Sequence, residues 1–376
     1  MFVTSVEGGI TKRVTNTPYQ ERSVTFTPDG RSLVYAAERS GTGWDIMKSS
    51  ISRKEEPYFF TSTVIKEEPL VASDKDEFQP EVSPNGKEIS YLEERNVLRV
   101  YNTDKKSSRT IIPAGENFSY ADGDQSSSWS PDSKWIAARS SRGNYGSSEI
   151  VLYKTDGTDV GTDVTQSGFG DGGQQWAMNG KALLWVSDKE GKKPLAYQGA
   201  REVDIYAMFF DKELYDRFKL NKDEYTLLKE KEEREKSDTT KKVADTALAR
   251  KIKEPSKMDL TDLDTRRIRL TNGSVNLGNY KISPTGEKLF FTARYEQGFD
   301  VWVIDTRTKE LKTLAKLAAG FAVIEMSKDG KTLFVLADGK ISKIESESGK
   351  MTPVTVNGEM ILKEDDERQY IFNHAW

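Results

Sequence analysis

A short phrase recurs along this chain. An apolar run leads into a Ser-Pro-Asp-Gly-like turn and a mostly basic residue, and a second apolar run follows. The clearest copies are Phe26-Thr27-Pro28-Asp29-Gly30-Arg31-Ser32-Leu33-Val34-Tyr35, Val82-Ser83-Pro84-Asn85-Gly86-Lys87-Glu88-Ile89-Ser90-Tyr91 and Ile282-Ser283-Pro284-Thr285-Gly286-Glu287-Lys288-Leu289-Phe290-Phe291. Weaker copies run from Trp129 to Ala137, Trp176 to Trp185 and Met326 to Val335. Self-similarity of this kind decides the architecture before any single residue does. It also moves the search for function from one pocket to a set of equivalent loops.

The turn glycine, replaced by Ser133 in one copy, gives the period. From Gly30 through Gly86, Ser133, Gly180 and Gly286 to Gly330 the steps are 56, 47, 47, 106 and 44 residues. A four-stranded propeller blade takes about 40–50 residues. Four steps therefore fit one blade each, the first stretched, and the long step is one blade with an insertion. Asp-Gly and Asn-Gly supply the positive φ of a tight hairpin. Proline stands where φ is preset and no ladder donor is needed. A third strand follows most copies and often opens on an acid, as at Asp45, Asp204 and Asp300. A fourth often ends in Leu-Thr or Val-Thr, as at Leu270-Thr271 and Val164-Thr165.

Met1 to Thr17 reads as a third and fourth strand with no first or second before them. After the sixth copy come strands near 340–346 and 351–356 and a further candidate over 359–363. The two ends together predict a seventh blade, which would remove an exposed sheet edge. The expected fold is an all-β, seven-bladed β-propeller over residues 1–364; six blades with loose ends is the alternative.

Between Phe210 and Asp259 the strand pattern stops. Leu214 and Phe218 stand at helical spacing, and Asn221 with Glu224 three residues on forms a capping box. Tyr225 and Leu228 continue an apolar stripe, residues 229–236 are all charged, and 237–250 are polar with high helix propensity. The insertion, about 211–257, is read as a solvated, partly disordered excursion between the third and fourth strands of one blade. A helical arm docking on a neighbouring domain or subunit is the sharper alternative. The last residues, 365–376, read as the start of a helix leading into a further domain. Beginning mid-blade and ending on Trp376, the chain is expected to be a piece of a longer protein.

Composition narrows the function. The net charge is −4 among 376 residues, which gives a nucleic-acid partner no electrostatic support. No apolar run approaches a membrane span and Met1 opens no signal peptide, so any targeting signal would lie upstream; periplasmic, envelope and cytoplasmic locations stay open. There is no cysteine, which excludes disulfides and thiolate metal sites, and one histidine, His374. Neither a Gly-x-Ser-x-Gly elbow nor a phosphate loop occurs. Ser130-Pro131-Asp132-Ser133-Lys134-Trp135 is only faintly like the Asp-box of sialidase propellers and coincides with a repeat turn. Asp122-Gly123-Asp124 and Asp156-Gly157-Thr158-Asp159 lack a full calcium-loop pattern and read as turn acids. No cofactor and no metal is expected. The polar residues entering the first strands, Arg22, Gln79, Gln125 and Gln174, are the channel-lining candidates for holding peptide backbone, with hydrated lining as the plainer reading.

The repeated phrase resembles the Tol-B-like, WD-like propeller repeat. The order of features is similar to the second propeller of tricorn-type serine peptidases: a ring of such repeats, an insertion between third and fourth strands, then Met258-Asp259-Leu260-Thr261-Asp262-Leu263-Asp264-Thr265-Arg266-Arg267-Ile268-Arg269-Leu270-Thr271, and a terminal Glu367-Arg368-Gln369-Tyr370-Ile371-Phe372-Asn373-His374-Ala375-Trp376. The resemblance spans essentially the whole chain. It implies a parent protein among the C-terminal-processing, tail-specific serine peptidases, in which a PDZ-like module and the catalytic domain follow the propeller. No catalytic position is carried over, so the chain by itself is expected to be no enzyme. The implied role is to gate or guide unfolded peptides to the peptidase domain. Partners would be peptide or unfolded protein, the chain's own PDZ-like and peptidase domains, and a further copy in a homo-oligomer. A Tol-B-like protein–protein interaction propeller is the alternative, and a glycosidase or lyase working from the channel a third.

Overall fold

The computed structural model describes residues 1–39, 43–117, 119–121, 123–142, 147–194, 201–237, 258–358 and 363–375. β1 (Phe2–Thr4) and β2 (Thr11–Arg13) pair antiparallel as a two-stranded sheet. Six four-stranded sheets follow, each with its strands side by side in chain order. The first holds β3 (Glu21–Phe26), β4 (Ser32–Arg39), β5 (Gly43–Ile51) and β6 (Ile65–Val71). The second holds β7 (Glu77–Val82), β8 (Glu88–Glu93), β9 (Val97–Asn102) and β10 (Ser107–Ile112). The third holds β11 (Ser127–Trp129), β12 (Trp135–Ser140), β13 (Glu149–Lys154) and β14 (Thr162–Asp163). The fourth holds β15 (Asp171–Ala177), β16 (Ala182–Ser187), β17 (Asp204–Phe209) and β18 (Arg267–Arg269). The fifth holds β19 (Asn276–Ile282), β20 (Lys288–Glu296), β21 (Gly298–Asp305) and β22 (Leu311–Ala319). The sixth holds β23 (Ala322–Met326), β24 (Thr332–Ala337), β25 (Lys340–Glu345) and β26 (Met351–Pro353). With the N-terminal pair these make seven sheets, the blades of an all-β, seven-bladed propeller.

The recurring phrase is the hairpin between the first and second strand of each four-stranded sheet, and its chemistry repeats. In the third sheet Ser130 Oγ donates to Asp132 Oδ1 at 2.6 Å and accepts from Trp135 N at 2.9 Å, while Asp132 Oδ1 also accepts from Lys134 N. Thr27 with Asp29 and Ser327 with Asp329 make the same three bonds, and Ser83 with Asn85 does so with an amide acceptor. The turn residue has φ between +69° and +80° at Gly30, Gly86, Gly180, Gly286 and Gly330, and +61° at Ser133. Glycine takes that conformation without strain, and serine takes it at a small cost. The first step is long because residues 52–64, with a 3-10 turn at Phe59–Thr61, lie between β5 and β6.

Two compact units divide the chain. One comprises Met1–Gln125, Thr155–Thr158 and Val354–Trp376, the other Ser126–Lys154 and Asp159–Pro353. Within each, the core lies in slabs between consecutive sheets. In the first, Val34, Ala36 and Ile46 meet Ile89 and Tyr91. In the second, Leu184, Ala207 and Phe209 meet Tyr280, Leu289 and Phe291. Strands buried on both faces read as continuous apolar runs, as Leu33-Val34-Tyr35-Ala36-Ala37 does, every residue at most 1% exposed.

The insertion leaves after β17 and returns before β18, and the two strands pair directly, Met208 opposite Arg267. Asp211 caps helix α1 (Lys212–Lys219) by accepting from Leu214 N at 2.8 Å. Asn221 and Glu224 form the expected reciprocal box, both bonds 2.9 Å, at the start of α2 (Lys222–Ser237). The first part of this arm is docked on the arm's own unit. Leu214 is 2% exposed in the core cluster of β16, β17 and β20. Phe218 packs on Phe209 with ring centroids 4.9 Å apart. Tyr225 donates to Glu287 at 2.8 Å and lies under the Arg307 guanidinium at 3.6 Å. The start of the arm thus clasps the fifth sheet of its own chain, a docking that neither expectation named, while the described remainder of α2 is mostly exposed. Residues 238–257 of the expected insertion lie outside the described residues.

In the first unit the stretch after β26 returns to the N-terminal pair: Gly9 N donates to Thr355 O at 3.1 Å, and Asn357 N to Thr11 Oγ1 at 3.2 Å. Most of the strand expected over 359–363 lies outside the described residues. Helix α3 (Glu364–Ala375) forms where a helix is expected, and Tyr370 ties it to the first four-stranded sheet by donating to Glu38 Oε2 at 2.6 Å. Trp376 and the His374 side chain lie outside the described residues.

Candidate functional site

The first strand of every four-stranded sheet is an edge strand, so one row of its backbone groups has no partner in its own sheet. Four of these strands are kinked by register shifts: β3 between Arg22 and Thr25, β7 between Phe78 and Glu81, β15 between Gly172 and Gln175, and β19 between Leu277 and Tyr280. Ser23, Gln79 and Gly173 sit in the first three kinks with φ of +53°, +50° and +61°. Each is five residues before the turn position held by Pro28, Pro84 and Met178. A bulge re-aims the side chains around it and blunts the edge.

This geometry separates the four expected lining residues. In the first unit, Gln79 Oε1 accepts from Gly123 N at 2.9 Å, while Gln79 Nε2 is buried with no partner among the described residues. Gln125 is half-buried one residue after Asp124, in the segment that Gln79 touches. Arg22 bonds Gln20 and lies over the Trp44 ring at 5.1 Å; Trp44 packs on Phe78 at 5.8 Å, and Arg95 covers Phe78 at 3.9 Å. Arg22 is thus linked through Trp44 to Phe78, the residue before Gln79 in the chain. In the second unit Gln174 is 5% exposed and spends its amide between sheets. Its Nε2 donates to Ser126 O at 2.8 Å and Ala137 O at 3.1 Å, and its Oε1 accepts from Ser126 Oγ at 3.1 Å.

Sequence reading missed a cleft in the second unit. About 260 Å³ opens where β15, β19 and β23 run into their turns, walled by Trp176, Met178, Ile282 and Met326 with the Lys281–Glu325 ion pair, 2.8 Å, beside them. Its residues belong to three copies of the phrase far apart in sequence, and only their equivalent place just before the turn hinted at it.

The acids of the sequence reading are held by their surroundings. Asp204, fully buried, accepts from Arg269, Thr271 and Ser274, and Asp300 accepts from Leu317 N and Ala318 N. At Asp204 and Asp300 the acid of the third strand therefore fastens the fourth strand or the residues after it, whereas Asp45 Oδ1 is buried with no hydrogen bond among the described residues. Asp156 accepts from Thr158 and Asp159 from Lys154 N, as turn acids do. Asp122 lies outside the described residues. Among the described residues no group of three or more Asp, Glu, His or Cys is placed to hold a metal ion.

Two further acids are under-supplied. Glu77, fully buried, has its carboxyl pushed up to about 6, by burial first and then by Asp45 and Glu93, with the Ser73 hydroxyl working against the rise. Asp171, 1% exposed, is also pushed up to about 6 by burial, with Glu149 adding to it. The Ser187, Ser167 and Thr165 hydroxyls partly offset this for Asp171, yet neither of its carboxylate oxygens has a partner at hydrogen-bonding geometry.

No family model matches the chain, and no curated protein matches it. Among solved structures, a tricorn protease is similar over 100% of this chain and 34% of its own, with TM-score 0.67 and 14% identity. The fold is that of a β-propeller. A Mycobacterium tuberculosis puromycin-hydrolyzing peptidase matches over 91% of this chain and 48% of its own, with TM-score 0.53 and 14% identity. TolB from Acinetobacter baumannii matches over 87% of this chain and 64% of its own at 14% identity, but its TM-score of 0.46 is too low to weigh. At such identities the likeness shows the fold alone. The chain spans about a third of the length of the tricorn protease it matches.

Proposed function

We propose that this propeller is non-catalytic and guides extended, unfolded peptides toward a serine peptidase domain of the tricorn kind outside this chain. The observation that supports it is Gln79: an edge-strand residue with a buried, partnerless amide donor, bulged beside the Arg22–Trp44–Phe78–Arg95 cluster. A buried donor left unmade is costly, and the carbonyl of an extended peptide satisfies it. Arg22, Gln79 and Gln125 are the residues assigned to this role; Gln174, spent between sheets, is assigned to holding the fold.

The test is fluorescence anisotropy with a labelled, permanently unfolded polypeptide and, beside it, a folded protein of similar mass. The unfolded chain is expected to bind and the folded one not to. Gln79→Leu is expected to weaken binding about fivefold, the worth of one hydrogen bond of about 1 kcal/mol. Unchanged binding by that variant overturns the assignment. Tight binding of the folded protein favours the second reading, a protein-interaction propeller, for which the cleft beside Trp176 and Met326 is the supporting feature.

A further inference from the structure

One acidic position recurs that neither the turn chemistry nor peptide guidance explains. Glu21, Glu77, Asp124 and Asp171 each stand seven residues before the turn position held by Pro28, Pro84, Pro131 and Met178. Three of them open β3, β7 and β15, and Asp124 stands just before β11. The equivalent residues of the last two copies are Leu277 and Phe321, so the acid belongs to four consecutive sheets.

The four positions meet two fates. Glu21 accepts from the Met1 ammonium, Thr15 Oγ1 and Thr17 Oγ1, at 2.9, 2.8 and 2.9 Å. Asp124 Oδ2 accepts from Tyr120 N and from Ala121 N. Burial works against ionisation at Asp124, but bonds from Ser119 and from the Ala121, Tyr120 and Gln125 backbone outweigh it and lower its pKa. Glu77 and Asp171 have the same place and almost none of the donors. Glu77 Oε1 takes one bond, from Ser73, and its Oε2 takes none; both oxygens of Asp171 go without.

Charges around the starved pair do not compensate. Facing Asp171 are Glu149 on β13 and Tyr206 on β17, with Asp163 on β14 beside Glu149 and Asp188 after β16 accepting from Gly170 N. Glu149 is occupied by Thr165 Oγ1, Ser167 N and Gly168 N, and Asp188 is paired with Arg201. Arg139 on β12 turns its Nε to Ser148, 2.8 Å away. Facing Glu77 are Asp45 on β5, with Arg39 near it, and Glu93 and Tyr91 on β8; Lys75 and Arg99 are drawn to Glu93, at 2.9 and 2.8 Å. Each starved acid lies on the seam between one sheet and the next, beside a second acid contributed by the preceding sheet.

We propose that Glu77 and Asp171 are proton-operated latches at two seams between consecutive sheets, β5–β6 against β7 and β13–β14 against β15. Protonated, each carboxyl is neutral and can donate a hydrogen bond to its neighbours. Ionised, it is a buried charge beside a like charge, and the seam it closes opens more readily. Glu21, supplied with donors at both carboxylate oxygens, holds its seam without this dependence.

Hydrogen exchange over residues 148–175 and 45–81, corrected for the intrinsic rate at each pH, tests this. Protection at both seams is expected to fall about tenfold or more between about pH 5 and pH 8. Asp171→Asn is expected to abolish the dependence over 148–175 and leave it over 45–81; Glu77→Gln should do the reverse. Flat protection in the unmodified protein, or an unchanged slope in either variant at its own seam, overturns the proposal. If a variant fails to fold, carboxyl-carbon titration of the unmodified chain decides it: midpoints of both groups in the ordinary carboxylate range overturn it as well.

Discussion

At Ser130 one hydroxyl closes a hairpin from inside by donating to Asp132 and accepting from Trp135 N. Ser130→Ala leaves a strand N–H and a carboxylate short of one bond each, an expected loss of about 1 kcal/mol in chemical denaturation. The same variant should leave peptide binding unchanged, since the turn acids hold backbone and not ligand. Such turns are legible in the sequence because every atom they use lies within six residues. The difference between Gln79 and Gln174 is not legible there. Both are glutamines near the start of a first strand, and what separates them is where a bulge falls and whether Ser126 of the preceding sheet lies within reach. The seven-before-turn acids were visible as letters but not as a motif. Glu stands there in two copies and Asp in two, and the four residues that follow the acid have no letter common to all four copies.

Among the elements, the inserted arm departs furthest from the sequence reading. Its capping box and the Leu214–Phe218 spacing foretold helices, as local patterns do. Its destination was hidden, because it depends on Arg307 and Glu287, some sixty or more residues downstream of Tyr225. Leu214→Ala is expected to cost about 2–4 kcal/mol of global stability, since Leu214 belongs to the sheet core and not to an appendage. Tyr225→Phe removes the bond to Glu287 and should cost about 1 kcal/mol, read as faster exchange in α1 and the start of α2. Glu230→Ala, on the exposed side of α2, is expected to change stability by less than about 0.5 kcal/mol by the same denaturation measurement.

For the whole molecule, the repeat made the fold legible, and the seventh blade was the uncertain part. Among the described residues it is the two-stranded sheet of Phe2–Thr4 and Thr11–Arg13, a short hairpin without the phrase, and the C-terminal strand expected to join it lies mostly outside them. The starved acids give the molecule a pH profile. Their folded pKa values of about 6 stand above the ordinary 3.8 of aspartate and 4.5 of glutamate. A raised acid binds its proton more tightly when folded, so its contribution is complete below the unfolded value and is lost as pH rises through about 6. Stability should therefore fall between about pH 4 and pH 7, by on the order of 2–3 kcal/mol for Asp171 at about 1.4 kcal/mol per pH unit. Denaturant midpoints across that range check it, with Asp171→Asn expected to be more stable than the unmodified chain at the alkaline end.

Strands β17 and β18 meet as neighbours although a long excursion separates them in sequence. A loop that starts and finishes on adjacent rungs of one ladder is almost free to change length, since each doubling costs only about 0.6 kcal/mol in closure entropy. That hairpin tip is a natural grafting point. A sensor, an affinity handle or a protease site inserted beyond the docked helices would ride on the sheet without entering its ladder. Lineages of this protein are correspondingly expected to differ more in length there than anywhere along the repeats.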